Sequence, residues 1–187
     1  MTQYMPQHIT QEFLDMIKLP DPTAKRLNYL MIMPVMVDND SMWYQFPYGF
    51  GLVSSALKAS GRNVFTLNIN YKTDIDKLIR ESIIKNHIDV VLTGGISGQY
   101  SVIKYVLDTC KECSPDIITI VGGGIITADP VVAMMALETA DYGVIGEGEV
   151  TVNELAFALE NGNEIDSVPG IILKTKMVTS PPPPPPF

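Results

Sequence analysis

Six short apolar runs, most of them rich in Ile and Val, recur along this sequence, and the segments between them carry apolar residues at helical spacing. Near-continuous apolar strands are what a parallel sheet needs when both of its faces are covered, so the alternation predicts an α/β fold. Strands are expected at Tyr29 to Val35, Asn63 to Leu67, Val90 to Thr93, Ile117 to Val121, Tyr142 to Ile145 and Ile171 to Lys174, the first five parallel. Between them, Leu52, Val53, Ala56 and Leu57 form one helical stripe stopped at Gly61. Ile75, Leu78, Ile79 and Ile83 form a second behind an N-cap at Thr73 or Asp74, and Val102, Ile103, Val106, Leu107 and Cys110 form a third that ends before Pro115. Asp129 and Pro130 read as N-cap and first residue of a fourth helix, and Val152, Leu155, Ala156 and Leu159 make a fifth that closes near Gly162.

The 187 residues suffice for one domain with a real core, and 46% apolar against 18% charged residues excludes a disordered chain. A formal charge of -8 without a basic stripe argues against a nucleic-acid partner, because phosphate neutralisation requires clustered Lys and Arg. The longest apolar stretch, Leu30 to Val37, is interrupted by Pro34 and is too short for the roughly 20 residues of a membrane span, so no membrane partner is expected. Residues Met1 to Thr10 lack the basic start and apolar run of a secretory signal, and two cysteines make no disulfide framework. A cytoplasmic location is therefore expected. Residues 1–26 read as an N-terminal extension with a short helix around Ile9, Phe13 and Ile17, capped at Thr10. Residues 27–176 read as the domain proper, and 177–187 as a proline-rich linker into a downstream domain, since Pro181 to Pro186 can only be extended.

In open α/β sheets, ligands bind beyond the carboxyl ends of the strands, where strand order reverses. Three of the loops expected there are rich in glycine: Thr93-Gly94-Gly95-Ile96-Ser97-Gly98, Gly122-Gly123-Gly124-Ile125 and Gly146-Glu147-Gly148-Glu149. A fourth, Asp38 to Gly51, carries Trp43, Tyr44, Phe46 and Tyr48. Glycine lets a backbone take φ > 0 or lets another surface approach its amides, so these loops serve either tight turns or a floor for a large flat ligand. A dinucleotide site would require Gly-x-Gly-x-x-Gly after the first strand, where this chain has Asp38-Asn39-Asp40-Ser41. A phosphoreceiver site would require an acidic residue at the end of strand three, where Leu92-Thr93 stands; Asp38 and Asp40 alone leave it incomplete.

Pro47-Tyr48-Gly49, Val121-Gly122-Gly123-Gly124, Ala128-Asp129-Pro130, the run Ala140 to Glu149 and Val168-Pro169-Gly170 together resemble the N-terminal cobalamin-binding domain of cobalamin-dependent radical S-adenosylmethionine proteins, over about Asn28 to Lys174. That resemblance implies a flavodoxin-like, Rossmann-like, doubly wound sheet of five parallel strands, order 2-1-3-4-5, with an extra C-terminal strand. The corrin would lie across its carboxyl edge and the nucleotide tail would enter among the loops. Tyr48, Gly49, Thr93, Gly94, Gly95, Ser97, Gly122, Gly123, Gly124, Ile125, Gly146, Glu147 and Gly148 would form the cofactor site, with the hydroxyls of Thr93 and Ser97 as donors.

Many cobalamin domains of this fold carry Asp-x-His-x-x-Gly before the first helix, the His ligating cobalt from below. Aligned on Gly49, the His position is Phe46 and the Asp position Tyr44, so the resemblance implies a base-off corrinoid without a histidine ligand. It also implies a module that is not catalytic alone but belongs to a methyltransferase or another radical enzyme. The iron-sulfur cluster and S-adenosylmethionine would sit in the downstream domain, because this chain lacks Cys-x-x-x-Cys-x-x-Cys. The alternatives are a regulatory or interface domain of the same fold that no longer binds corrin, and a stand-alone enzyme for which no nucleophile with a base is found.

Cys110 and Cys113, on or near the third helical stripe, read as structural thiols. Glu147 and Glu149 read as parts of a binding turn, and Met31, Met33, Met36, Met134 and Met135 as core filler.

Overall fold

The computed structural model of the chain describes residues 15–35, 46–70 and 72–174. Most of the expected N-terminal helix, the aromatics Trp43 and Tyr44, and the proline run lie outside them. The strands are β1 (Asn28–Met33), β2 (Asn63–Asn68), β3 (Val90–Gly94), β4 (Ile118–Gly122), β5 (Tyr142–Val144) and β6 (Ile171–Leu173). The helices are α1 (Tyr48–Ala59), α2 (Ile75–Asn86), α3 (Tyr100–Cys113), α4 (Gly124–Ala128), α5 (Pro130–Ala136) and α6 (Gly148–Asn161). The sheet order is β2-β1-β3-β4-β5-β6, with every pair parallel except β5 and β6. The expected parallel order thus holds, and the extra strand adds to its edge in the opposite direction.

Alternation along each strand divides the core between two faces. Tyr29, Met31, Val90, Leu92, Ile120 and Val144 meet Leu57 of α1 and Val152, Leu155 and Ala156 of α6. On the other face, Leu30, Ile32 and Val91 meet Ile79 and Ile83 of α2 and Val106 and Cys110 of α3. Val121 and Ile172 there meet Ile103 and Leu107 of α3, Ile125 and Ile126 of α4 and Met134 of α5. Burying such a side chain stabilises the fold by roughly 1.5–3 kcal/mol.

Three local expectations need correction. Leu52 is 53% exposed, so the buried stripe of α1 is Ala56 and Leu57 with Val53 partly covered. Asp74 does precede α2, but it takes φ 54 and its side chain makes no cap bond. The loop after β4 contains the extra helix α4, which five residues without a strong periodic pattern do not announce. Asp129 caps α5 as expected, accepting a hydrogen bond from the Val132 amide at 3.2 Å.

At the amino end of the sheet, a buried polar clamp joins β1, α1 and α6. Tyr29 Oη donates to Glu160 Oε1 at 2.8 Å, and Arg62 Nε donates to Glu160 Oε2 at 3.0 Å. Arg62 Nη2 stands 2.9 Å from the same carboxylate, at ion-pair distance without hydrogen-bond alignment. Arg62 Nη1 donates to Ser60 Oγ at 2.6 Å and to the Lys18 carbonyl at 3.1 Å, which fastens the incoming chain. Burial, and then the charge of Glu160, hold the Tyr29 phenol well above its ordinary pKa.

Removing one member of a buried pair leaves the other charge uncompensated. Arg62→Met should therefore cost about 3–5 kcal/mol in urea unfolding, and adding Glu160→Leu should recover part of that loss. If the losses of Arg62→Met and Glu160→Leu, each measured alone, simply add in the double variant, the pair is not coupled.

Candidate functional site

The sheet order reverses between β1 and β3, and a cleft of about 470 Å³ opens beyond the carboxyl ends of the strands at this place. Its floor is Met31, Leu92, Ile120 and Val144; its outer walls are the first turns of α1 and α6, through Gly49, Phe50, Val53, Gly148 and Val152. The three glycine-rich turns all reach it: Gly94 and Gly95 after β3, Gly122 to Gly124 after β4, and Gly146 to Gly148 after β5.

The turns touch each other through backbone alone. Gly95 donates its amide to the Gly122 carbonyl at 3.2 Å, and its own carbonyl accepts from the Ile125 amide at 2.9 Å. A Cβ on Gly123, which has φ +85, would stand 2.9 Å from that Gly95 carbonyl, and a Cβ on Gly94 would run into the Gly122 carbonyl. The absence of side chains here is a packing requirement that also keeps the edge low. At Gly49 and Gly146, by contrast, a Cβ would meet nothing within 4 Å. These two positions face open space.

Ten of the thirteen residues expected from the sequence line this cleft: Gly49, Thr93, Gly94, Gly95, Gly122, Gly123, Gly124, Gly146, Glu147 and Gly148. Tyr48, Ser97 and Ile125 are not among its walls. Tyr48 stands at the start of α1 and is 83% exposed, Ser97 begins a 3-10 turn (Ser97–Gln99), and Ile125 is buried against α3. Thr93 is not the free donor expected of it, because its hydroxyl donates to the Ile32 carbonyl at 3.0 Å inside the sheet.

Sequence reasoning missed Gln99 and Thr127. Gln99 accepts from the Ile96 amide at 2.9 Å and donates to the Val35 carbonyl at 2.9 Å, pinning the β3 turn to the end of β1. Thr127 Oγ1 accepts the Gly146 amide at 3.0 Å and so ties the β4 turn to the β5 turn. Both are ordinary polar residues whose role depends on contacts distant in sequence, and no local signal marks them.

Phe46 lies outside the cleft, 50% exposed, with its ring against Gly51. With Met33, Ser54, Lys58 and Thr66 it lines a second hollow of about 290 Å³ beside β2. A benzene ring offers no axial nitrogen. His87 ends α2 at the opposite end of the sheet, where its carbonyl accepts from Asn28 Nδ2 at 3.0 Å. Among the described residues, no group of three or more His, Cys, Asp or Glu is placed to hold a metal ion, and no helix is long and apolar enough to cross a membrane.

A planar or macrocyclic group with a narrow arm suits this geometry: the low glycine edge takes breadth, and the space between sheet and helices takes the arm. The volume falls within the roughly 300–1,000 Å³ of small-molecule sites. The uncapped first turn of α6, whose N-cap Glu147 makes no side-chain bond, presents backbone amides at the mouth. Such amides can receive phosphate or amide oxygens in place of basic side chains.

The thiols have no part in the cleft. Cys110 is fully buried in the α2–α3 layer, and burial, followed by the neighbouring Cys113, pushes its thiol up to about 12. Thiolate chemistry at neutral pH is thereby suppressed. Titration of the native chain with a disulfide reagent at neutral pH should leave Cys110 unreacted until denaturant is added. Rapid native reaction of both thiols would contradict its burial.

The family model described as B12 binding domain matches residues 44–156, more than half of the chain. Among solved structures, the chain is similar to the cobalamin-dependent S-adenosylmethionine radical enzyme OxsB, with a TM-score of 0.66 for the form with aqua-cobalamin and S-adenosylmethionine bound and 0.65 for the form with aqua-cobalamin bound. Both comparisons give 21% identity and cover 78% of this chain but 20% of the other, so the likeness is one of fold over about a fifth of that enzyme's length. No curated protein sequence matches.

Proposed function

We propose, from the premise that this chain belongs to the B12-binding domain family, that it is the corrinoid carrier of a larger radical S-adenosylmethionine protein and holds cobalamin base-off without a histidine below the cobalt. The observation that carries the reading is the cleft itself, a low glycine rim continuous with an apolar space between sheet and helices. In this reading the corrin lies over Gly94, Gly95, Gly123 and Gly124, and the nucleotide tail passes Gly49 and Gly146 into the cleft. A tail drawn into the protein is a tail removed from cobalt.

The reading of the lower face rests on placement. The sequence has two histidines, His8 and His87. His87 is at the amino end of the sheet, away from the cleft, and His8 lies outside the described residues. Phe46, at the position the resemblance aligns with the family's histidine, lies outside the cleft and has no atom that can ligate. When bound, cobalamin would supply cobalt-carbon chemistry, for methyl transfer or another radical reaction. The iron-sulfur cluster and S-adenosylmethionine belong in this proposal to a separate domain, since the two cysteines here, Cys110 buried and Cys113 partly buried, lie on one helix away from the cleft. The chain's own part is to bind, orient and exclude water.

The exposed apolar side chains Tyr48 and Leu52 of α1 and Ile96 at the cleft, the last 64% exposed, also suit a domain that has lost the corrinoid and serves only as an interface. Retention decides between the two. After mixing with hydroxocobalamin and gel filtration, a carrier keeps about one corrinoid per chain, and an interface domain keeps no colour. Reduced to cobalt(II), the complex should show an electron paramagnetic resonance signal without nitrogen splitting; protein imidazole splitting would defeat the axial assignment.

Gly49→Leu places a side chain in open space at the cleft mouth, touching no neighbour at its Cβ. Cobalamin affinity should fall about tenfold or more while thermal stability does not fall, since leucine is the better helix former at this position of α1. Unaltered affinity would exclude this entrance.

A further inference from the structure

We propose that Glu149, with the Thr127 hydroxyl in the same cleft, reads the uncharged carboxamides at the edge of a corrin and makes this chain reject corrinoids that carry a carboxylate in their place. The inference rests on the carrier reading above and names a specificity-determining residue within it.

The two groups come from turns that are tied to each other. Thr127 lies near the end of α4, and its Oγ1 accepts the Gly146 amide at 3.0 Å. Glu149 follows Gly146 closely, in the first turn of α6. Both residues line the cleft, and Glu147 adds a second carboxylate at its rim. Glu149 is half-buried, and among the described residues no hydrogen bond or ion pair engages its carboxylate or that of Glu147. Accepting from Gly146 leaves the Thr127 hydroxyl its own proton to donate.

The side chains on offer are therefore of two kinds, carboxylate acceptors and a hydroxyl donor, and the described walls hold no lysine, arginine or histidine. A primary carboxamide answers both, because its N–H donates to a carboxylate and its carbonyl accepts from a hydroxyl. A carboxylate of the same shape has no N–H to give. It also brings a charge of the sign the cleft already carries, with no cation beside it to offset the repulsion. Corrins bear carboxamides around the ring, and with the ring over Gly123 and Gly124 that edge would face the turns that carry Thr127 and Glu149. Glu149 also places a negative charge at the amino end of α6, where it favours the helix, and this structural part has to be separated from recognition.

The test is equilibrium titration of the full chain and of its Glu149→Gln variant, followed by visible absorbance. The ligands are cobalamin and the three cobalamin monocarboxylic acids in which one propionamide is hydrolysed, each isomer taken separately. The native chain should bind at least one isomer about 10-fold more weakly than cobalamin. Glu149→Gln should cut that ratio about 3-fold or more, because glutamine still accepts an N–H but no longer repels a carboxylate. A ratio that Glu149→Gln leaves unchanged for every isomer overturns the assignment, and this is the result of a purely structural role, in which cobalamin and the acids weaken together. Native binding of all three acids as tight as that of cobalamin overturns it as well. If the native chain binds neither cobalamin nor any acid, the carrier reading falls and takes this inference with it, an outcome distinct from the other two.

Discussion

Backbone contact between the turns after β3 and β4 is the constraint on which the carboxyl edge depends. The Gly95 amide reaches the Gly122 carbonyl and the Ile125 amide reaches the Gly95 carbonyl, an approach with no room for a Cβ on Gly94 or Gly123. Two neighbouring strands are thereby joined past their last ladder pair, Gly94 with Gly122. The edge is kept low because the two turns lock together, so rigidity and openness have the same source. A shelf built from flexible glycine loops would have to be ordered by its ligand at an entropic cost, and here the protein's own hydrogen bonds have already ordered it.

The two ends of the sheet divide the work. At the amino end, Arg62, Glu160, Tyr29 and Ser60 fasten the last turns of α1 and α6 to β1, with Lys18 adding the incoming chain. At the carboxyl end, the first turns of the same two helices stand off the sheet enough to leave the cleft. Between these ends the packed core of Leu57, Leu155 and Ala156 closes the space under the helices, so the cleft lies only at their first turns. Stability and binding are thus properties of one helix pair.

The fold was legible because its signal is local. Runs such as Val90-Val91-Leu92 read as buried strands wherever they occur, and Asp129-Pro130 announces a helix start without reference to its neighbours. The three glycine turns were legible for a similar reason, since each stands directly after a strand and the topology of the fold class carries all of them to one edge. Thr93 shows where this reasoning stops: a hydroxyl in a promising loop looks free until the carbonyl it serves, Ile32, is found on another strand. Gln99 and Thr127 escaped for the converse reason, their partners being far along the chain. The floor was visible but read only in part: Met31 does belong to the core, and the same side chain also reaches the cleft, a double role that only the register reveals.

Charge gives the last step. The chain is acidic, at -8, and among the described residues the cleft walls include no lysine, arginine or histidine. In the carrier reading, an anionic tail would find no cationic side chain among these walls and would be met by backbone amides at the glycine turns and the α6 terminus. Backbone amides hold a fixed position where lysines would add reach and mobility. Beneath those amides the side chains of Met31, Leu92 and Ile120 form an apolar floor, so in the carrier reading the cleft would offer its ligand shape and burial in place of positive charge.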